Sequence, residues 1–75
     1  MIRYLPFRED LSHEDLGLYT TFGIRAVDAK GRVLLNISDV STNEQAVRQL
    51  CDRCTRGRLA LAHLMDVIED ELPLF

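Results

Sequence analysis

The turn predicted at Asp28 to Gly31 most constrains the fold, because it joins two stretches that alternate in polarity. The Asp28 side chain can accept hydrogen bonds from the turn backbone, and Gly31 can take the positive φ that a type I turn with a following bulge requires. Leu18 to Val27 precedes the turn and Arg32 to Ser38 follows it, both with the period of half-buried strands. The sequence therefore predicts an antiparallel hairpin.

The same alternation predicts the two faces of this hairpin. In its first strand, one face carries Leu18, Phe22, Ile24 and Ala26, and the other carries Tyr19, Thr21 and Arg25. In its second strand, the residues predicted to be buried are Val33, Leu35 and Ile37. We expect Gly23 at a β-bulge or at a position of close approach.

The N-terminal part supplies a third strand. Ile2 to Phe7 has β-forming character, and Pro6 is tolerated at a strand end or edge. Glu9 to Gly17 is acidic and turn-rich, so it is predicted to be an exposed connection or a single helical turn. The three strands together predict an antiparallel β-meander.

Two helices are predicted to cover one face of that sheet. Ser41 to Glu44 fits a capping box that opens the first helix. This helix is predicted to run to Arg56. Its apolar face is Ala46, Val47, Leu50, Cys51 and Cys54. The second helix is predicted from Leu59 to the proline at position 73, with a core face of Leu61, Leu64, Met65, Ile68 and Leu72. The fold class is α+β, with two antiparallel helices packed on one face of the sheet.

Composition narrows the classes of function. A chain of 75 residues forms one domain, too small for the two-lobed clefts that hold many cofactors, so we expect no cofactor. A net charge of -3 and an aromatic content of 7% without Trp argue against nucleic-acid binding. No apolar run approaches the roughly 20 residues of a membrane span. The expected location is the cytoplasm.

Three stretches carry a resemblance to a known family: Phe22 to Ile24, Ile37 to Thr42, and His63 to Leu72. In them the chain resembles a small family of Firmicutes proteins known only as a domain of unknown function. Two features depart from that family, which has Ser-Pro where this chain has Ala60-Leu61, and which lacks the cysteine pair. The resemblance implies this fold in a bacterial cytoplasmic protein, and it implies no activity and no functional residue.

Cys51 and Cys54 have the CxxC spacing of redox motifs. Redox cysteines work at a helix N-terminus, where amides and the helix dipole stabilise the thiolate. These two lie inside the predicted helix on its apolar face, which favours small buried hydrophobic residues. A zinc site would need two more ligands, and only His13 and His63 could supply nitrogen.

His63, Asp66 and Asp70 stand at positions i, i+3 and i+7 of the second predicted helix and share one face. A divalent ion or an acid/base pair could use this candidate binding face, and the acidic segment that holds His13 could close over it. A solvent-exposed helix face is the alternative interpretation. No residue is predicted to be catalytic or to bind a metal.

Arginines form a candidate basic patch around the end of the first predicted helix; they are Arg48, Arg53, Arg56 and Arg58. This patch could bind an acidic protein partner, or it could be an ordinary charged surface. A DNA-recognition helix would need Arg, Asn, Gln or Ser where the second helix has Leu64, Met65 and Ile68.

Two hypotheses for function remain. The first is a non-enzymatic interaction or regulatory module that contacts a protein partner or a second copy of itself, as a homodimer. Its surface would be the sheet edge or face that carries Phe7, Tyr19, Val27 and Leu34, or the apolar tail at positions 74 and 75. The second is a small metal-binding protein or enzyme that uses His63, Asp66 and Asp70.

Overall fold

A computed structural model, which describes residues 1–72, contains a three-stranded antiparallel sheet followed by two helices. The sheet has the order β1-β2-β3, with strands Arg3–His13 (β1), Gly17–Val27 (β2) and Val33–Ser41 (β3). Helix α1 is Glu44–Arg56, and helix α2 is Leu64–Glu71, preceded by the 3-10 turn Leu61–His63. The predicted α+β meander with two helices packed on the sheet is confirmed.

The predicted turn between β2 and β3 is also confirmed. Asp28 Oδ1 accepts hydrogen bonds from the backbone N–H of Lys30 and of Arg32, each at 2.9 Å. Gly31 has a φ of 82°. The backbone N–H of Arg32 is the main reason that the pKa of Asp28 is lowered. The turn is therefore held by an ionised carboxylate that accepts two backbone N–H groups.

Strand β1 is longer than predicted, because Glu9 to His13 continue it instead of forming a loop or a helical turn. Glu9 lies opposite Thr21, and Asp10 accepts a hydrogen bond from Thr20 Oγ1 at 2.8 Å. The prediction was wrong because acidic residues also occur in solvent-exposed strands. Strand residues that no third layer covers can be polar on both faces, since water solvates them.

The core lies between the sheet and the helices. Its fully buried members from α1 are Val47, Leu50, Cys51 and Cys54, as predicted, and Ala46 is half-buried. From the sheet it contains Tyr4, Phe22, Ile24, Ala26 and Val40, and from α2 it contains Leu64 and Ile68. Leu35 and Ile37 pack against this core but are only half-buried. Two residues predicted to be buried are exposed, Leu18 because it lies beyond the helices and Val33 because it begins the edge strand.

Helix α1 begins two residues later than the predicted capping box. Asn43 is the N-cap, and its Oδ1 accepts from the Ala46 N–H at 3.1 Å. Ser41 still belongs to β3, where it is paired with Phe22, so it cannot cap the helix. Glu44 forms an ion pair with Arg48 instead of reaching back. The helix ends at Arg56, as predicted.

Helix α2 begins later than the predicted Leu59. Arg58 has a left-handed φ of 54°, and the carbonyl of Leu59 accepts a hydrogen bond from the Tyr4 hydroxyl at 2.6 Å. These contacts hold the connection in a non-helical path. Met65, predicted to be in the core, is 47% exposed, because α2 buries only the narrow stripe centred on Leu64 and Ile68. The predicted stop at position 73 lies outside the described residues.

Gly23 lies where the sheet and a ring come very close, as predicted. A Cβ atom at this position would collide with the carbonyl oxygen of Ile37 and with the ring of Phe7. The β2–β3 register also shifts between Phe22 and Ile24, which marks the predicted bulge. Only glycine fits between the Phe7 ring and β3.

We predict that Gly23→Ala lowers the free energy of unfolding by about 2 to 3 kcal/mol, because the methyl group must displace the Phe7 ring or the strand. Gly17→Ala is the matched comparison. Gly17 has open space around it but a φ of 69°, so its cost is about 1 kcal/mol of backbone strain. Urea unfolding followed by circular dichroism measures both. An equal loss in the two variants would contradict the close packing at Gly23.

Candidate functional site

The sheet face away from the helices is less apolar than the sequence predicted. The Phe7 ring lies over Gly23, and the Arg25 guanidinium lies 4.8 Å from the ring centroid. Arg25 Nε also donates to Asn36 Oδ1 at 2.8 Å. Val27 is buried, whereas Leu34 is 43% exposed. A cation over an aromatic ring therefore covers much of the apolar surface expected there.

A polar network on the strands fastens the β1–β2 hairpin to β3. The Asp39 carboxylate accepts from Tyr19 Oη at 3.0 Å and from Thr21 Oγ1 at 2.8 Å. The Glu9 carboxylate accepts from the Asp39 N–H at 2.9 Å and from Ser38 Oγ at 2.8 Å. The hydrogen bond to Asp39 is the main reason that the pKa of Tyr19 is raised. Asp39 has a left-handed φ of 53°, which these four contacts hold in place.

Beyond this network the hairpin continues without the third strand. The pairing of β2 with β3 reaches only Phe22, whereas β1 and β2 pair as far as His13 and Gly17. We call residues 10–18 the hairpin end. Leu16 is 71% exposed and Leu18 is 83% exposed on it. The sequence reasoning missed this feature, although a glycine at position 17, with its positive φ, was a signal for a tight hairpin turn.

The hairpin end is acidic as well as apolar. It carries Asp10, Glu14 and Asp15, and it contains no lysine or arginine. His13 Nδ1 accepts from the backbone N–H of Asp15 at 3.1 Å, which orders the turn itself. Two exposed leucines therefore stand beside three carboxylates on a projecting pair of strands.

A cleft of ≈ 200 Å³ lies between α1 and α2, and we call it the inter-helix cleft. Its apolar lining is Leu50, Cys54, Leu59 and Val67, and its remaining lining residues are Arg53, Gly57 and Glu71. Arg53 Nη2 and Glu71 Oε2 form an ion pair at 3.3 Å, with both side chains about half exposed. Exposed pairs of this kind are weak, so a ligand could replace either partner.

The structure brings together only part of the predicted basic patch. Arg53 and Arg56 share a pocket with Gln49 and Asp52. Arg48 forms an ion pair with Glu44 in the first turn of α1, away from that pocket. Arg58 lies in the connection after α1, beside Leu59 in a second pocket. The basic surface next to the inter-helix cleft therefore consists of Arg53, Arg56 and Arg58.

The predicted face of His63, Asp66 and Asp70 is exposed. His63 is the N-cap of α2, but its side chain makes no capping hydrogen bond. Within residues 1–72, the structure groups no three or more His, Cys, Asp or Glu side chains in positions that could hold a metal ion. His13 belongs to the acidic segment that could have closed over this face, and its Nδ1 instead accepts a hydrogen bond in the turn at the hairpin end. The face is a solvated helix surface in this structure.

Both cysteines are buried and free, as predicted for apolar residues of α1. Burial raises the pKa of Cys51 to about 12, and burial also raises the pKa of Cys54. The neighbouring Arg53 opposes the effect at Cys54 without reversing it. Both thiols therefore stay protonated at neutral pH, unlike the activated thiol of a redox motif.

Family models, curated proteins and solved structures yielded no significant match to this chain. The resemblance to a Firmicutes family thus stays a prediction from the sequence. In the described part of the chain, no helix is long and apolar enough to cross a membrane.

We predict that the native thiols react slowly with a disulfide reagent at pH 8 and rapidly after unfolding in urea. In the folded protein, burial blocks access of the reagent and disfavours the reactive thiolate. An introduced Leu18→Cys thiol is the matched exposed control and should react at once. Rapid reaction of Cys51 or Cys54 in the folded protein would contradict their burial.

Stability should also fall at high pH. The pKa of Cys51 is 9.0 in the unfolded chain and about 12 in the folded chain, so the full contribution is present below pH 9. Between these two values the unfolded chain releases the proton first, and the free energy of unfolding falls as pH rises. Cys51→Ala should show a shallower fall over the same range. Identical pH profiles of unfolding for the two proteins would be inconsistent with the raised pKa.

Proposed function

We propose that this protein is a small non-enzymatic interaction module that binds another protein through the hairpin end. The observation that carries the proposal is the exposure of Leu16 and Leu18 on a hairpin that extends past the third strand. Neighbouring apolar side chains left in water on a small protein are characteristic of contact surfaces. From the family resemblance we further propose that this module works in the bacterial cytoplasm.

The energetics favour such a contact. Full burial of one leucine side chain contributes about 1.5 to 3 kcal/mol, so two leucines could supply the centre of a weak interface. The pairing of β1 with β2 and the network around Asp39 hold the hairpin in one conformation. Binding would then lose little chain entropy, because the contact residues are already ordered.

The carboxylates beside the leucines favour a partner with basic residues around an apolar site. Glu14 and Asp15 form no ion pair in the part of the chain that the structure describes, so their charges are available. Such charges mainly raise the association rate and exclude acidic partners. We therefore expect the binding to weaken as salt increases.

We predict that the double variant Leu16→Ser/Leu18→Ser loses partner binding at least tenfold, because it removes the apolar centre of the contact. The tagged protein and the variant are compared by quantitative capture from a lysate of the native host. Val33→Ser/Leu34→Ser is the matched control, since it removes two exposed apolar side chains from β3.

Circular dichroism first establishes that both double variants fold. A partner that is lost with the hairpin variant and kept with the β3 control supports the proposal. Equal binding by the wild type and the hairpin variant would rule out the hairpin end as the contact. Loss only with the β3 control would assign the contact to the sheet edge instead.

A further inference from the structure

We propose that the partner of the hairpin end is a second copy of this chain, whose inter-helix cleft receives the exposed leucines. This inference rests on the proposed function and specifies the partner. The protein would then associate with itself through two different surfaces, one projecting and one concave.

The hairpin end and the inter-helix cleft match each other in shape and polarity. The inter-helix cleft is lined by Leu50, Leu59 and Val67 and by the buried Cys54. Its volume of ≈ 200 Å³ suits one or two aliphatic side chains rather than a cofactor. Leu18, Met1 and Leu16 are the most exposed large apolar residues among residues 1–72. A projecting apolar group and an open apolar cleft are thus both available on the same molecule.

The hairpin end and the surface at the inter-helix cleft also differ in charge. The hairpin end carries three carboxylates and no arginine or lysine, and its Asp10 is ion-paired to Arg8 just outside it. Arg53, Arg56 and Arg58 lie at or beside the cleft, where they outnumber the acidic Glu71 and Asp52. A chain with a net charge of -3 thus separates a local acidic surface from a local basic one. Docking a hairpin end at the cleft would place opposite charges together, and docking two hairpin ends would place like charges together.

The hairpin end of one molecule cannot reach the inter-helix cleft of the same molecule. Leu59 lines the cleft, and its carbonyl accepts the hydroxyl hydrogen of Tyr4. Tyr4 lies near the start of β1, and His13 lies at its end, so the two are separated by about 30 Å along the strand. The hairpin end and the cleft are therefore at opposite ends of the molecule. Two copies arranged antiparallel could exchange both contacts and close a dimer.

Sedimentation velocity over concentrations from about 1 µM to about 500 µM tests the inference, because a contact of this size should be weak. We expect the wild-type mass to rise from 8.6 kDa towards twice that value. Leu16→Ser/Leu18→Ser and the cleft variant Arg53→Glu/Arg56→Glu should each weaken association at least tenfold. Val33→Ser/Leu34→Ser should associate like the wild type.

Mixing the two defective variants gives the sharper test. The hairpin variant keeps an intact cleft, and the cleft variant keeps an intact hairpin end, so the mixture can form one of the two contacts. With only the cleft variant labelled with ¹⁵N, amide shifts should change at residues 10–18 when the unlabelled hairpin variant is added. Adding unlabelled cleft variant instead should cause no change. Absence of shifts in both mixtures would overturn the proposed contact.

The result also separates this inference from the proposed function. A wild-type protein that stays at 8.6 kDa throughout, yet captures a host protein that the hairpin variant loses, would overturn self-association and leave the interaction module intact. Self-association that the β3 control abolishes and the hairpin variant retains would overturn both. Self-association lost in the hairpin and cleft variants and restored on mixing supports both.

Discussion

Tyr4 joins the sheet to the helical layer through its backbone and its side chain. Its N–H donates to Thr55 Oγ1 at 2.9 Å, and its hydroxyl donates to the Leu59 carbonyl at 2.6 Å. The ring between these two contacts is buried in the core. The first contact holds the last turn of α1 against β1, and the second sets the path towards α2. Together with the core, these two contacts of Tyr4 set the position of the helical layer and of the inter-helix cleft.

Local signals in the sequence were sufficient for much of the fold. The turn at Asp28 to Gly31 and the buried stripe of α1 depend on residues close together in the chain, and both were predicted correctly. The helix starts were not, because they depend on distant partners. Pairing with Phe22 of β2 keeps Ser41 in strand β3. The hydrogen bond from Tyr4, which lies 55 residues away in the sequence, keeps Leu59 outside helix α2.

The candidate site was less predictable than the fold. Leu16 lies in a segment whose acidic residues indicated a loop, and Leu18 was predicted on the buried face of its strand. The exposure of both depends on where β3 stops pairing with β2. The arginines were noticed in the sequence, but only the packing of α1 against α2 shows which of them lie beside the inter-helix cleft. His63, Asp66 and Asp70 are exposed, and side-chain spacing alone cannot supply the additional ligands that a metal needs.

The contact between Tyr4 and Thr55 also affects how the sheet can grow. An edge strand with free N–H groups is a template for aggregation. At the start of β1 the Tyr4 N–H is occupied by a side chain of α1, and Pro6 has no N–H to offer. An incoming strand would therefore find no donor at either position. One threonine and one proline thus protect the start of the β1 edge against pairing with another strand.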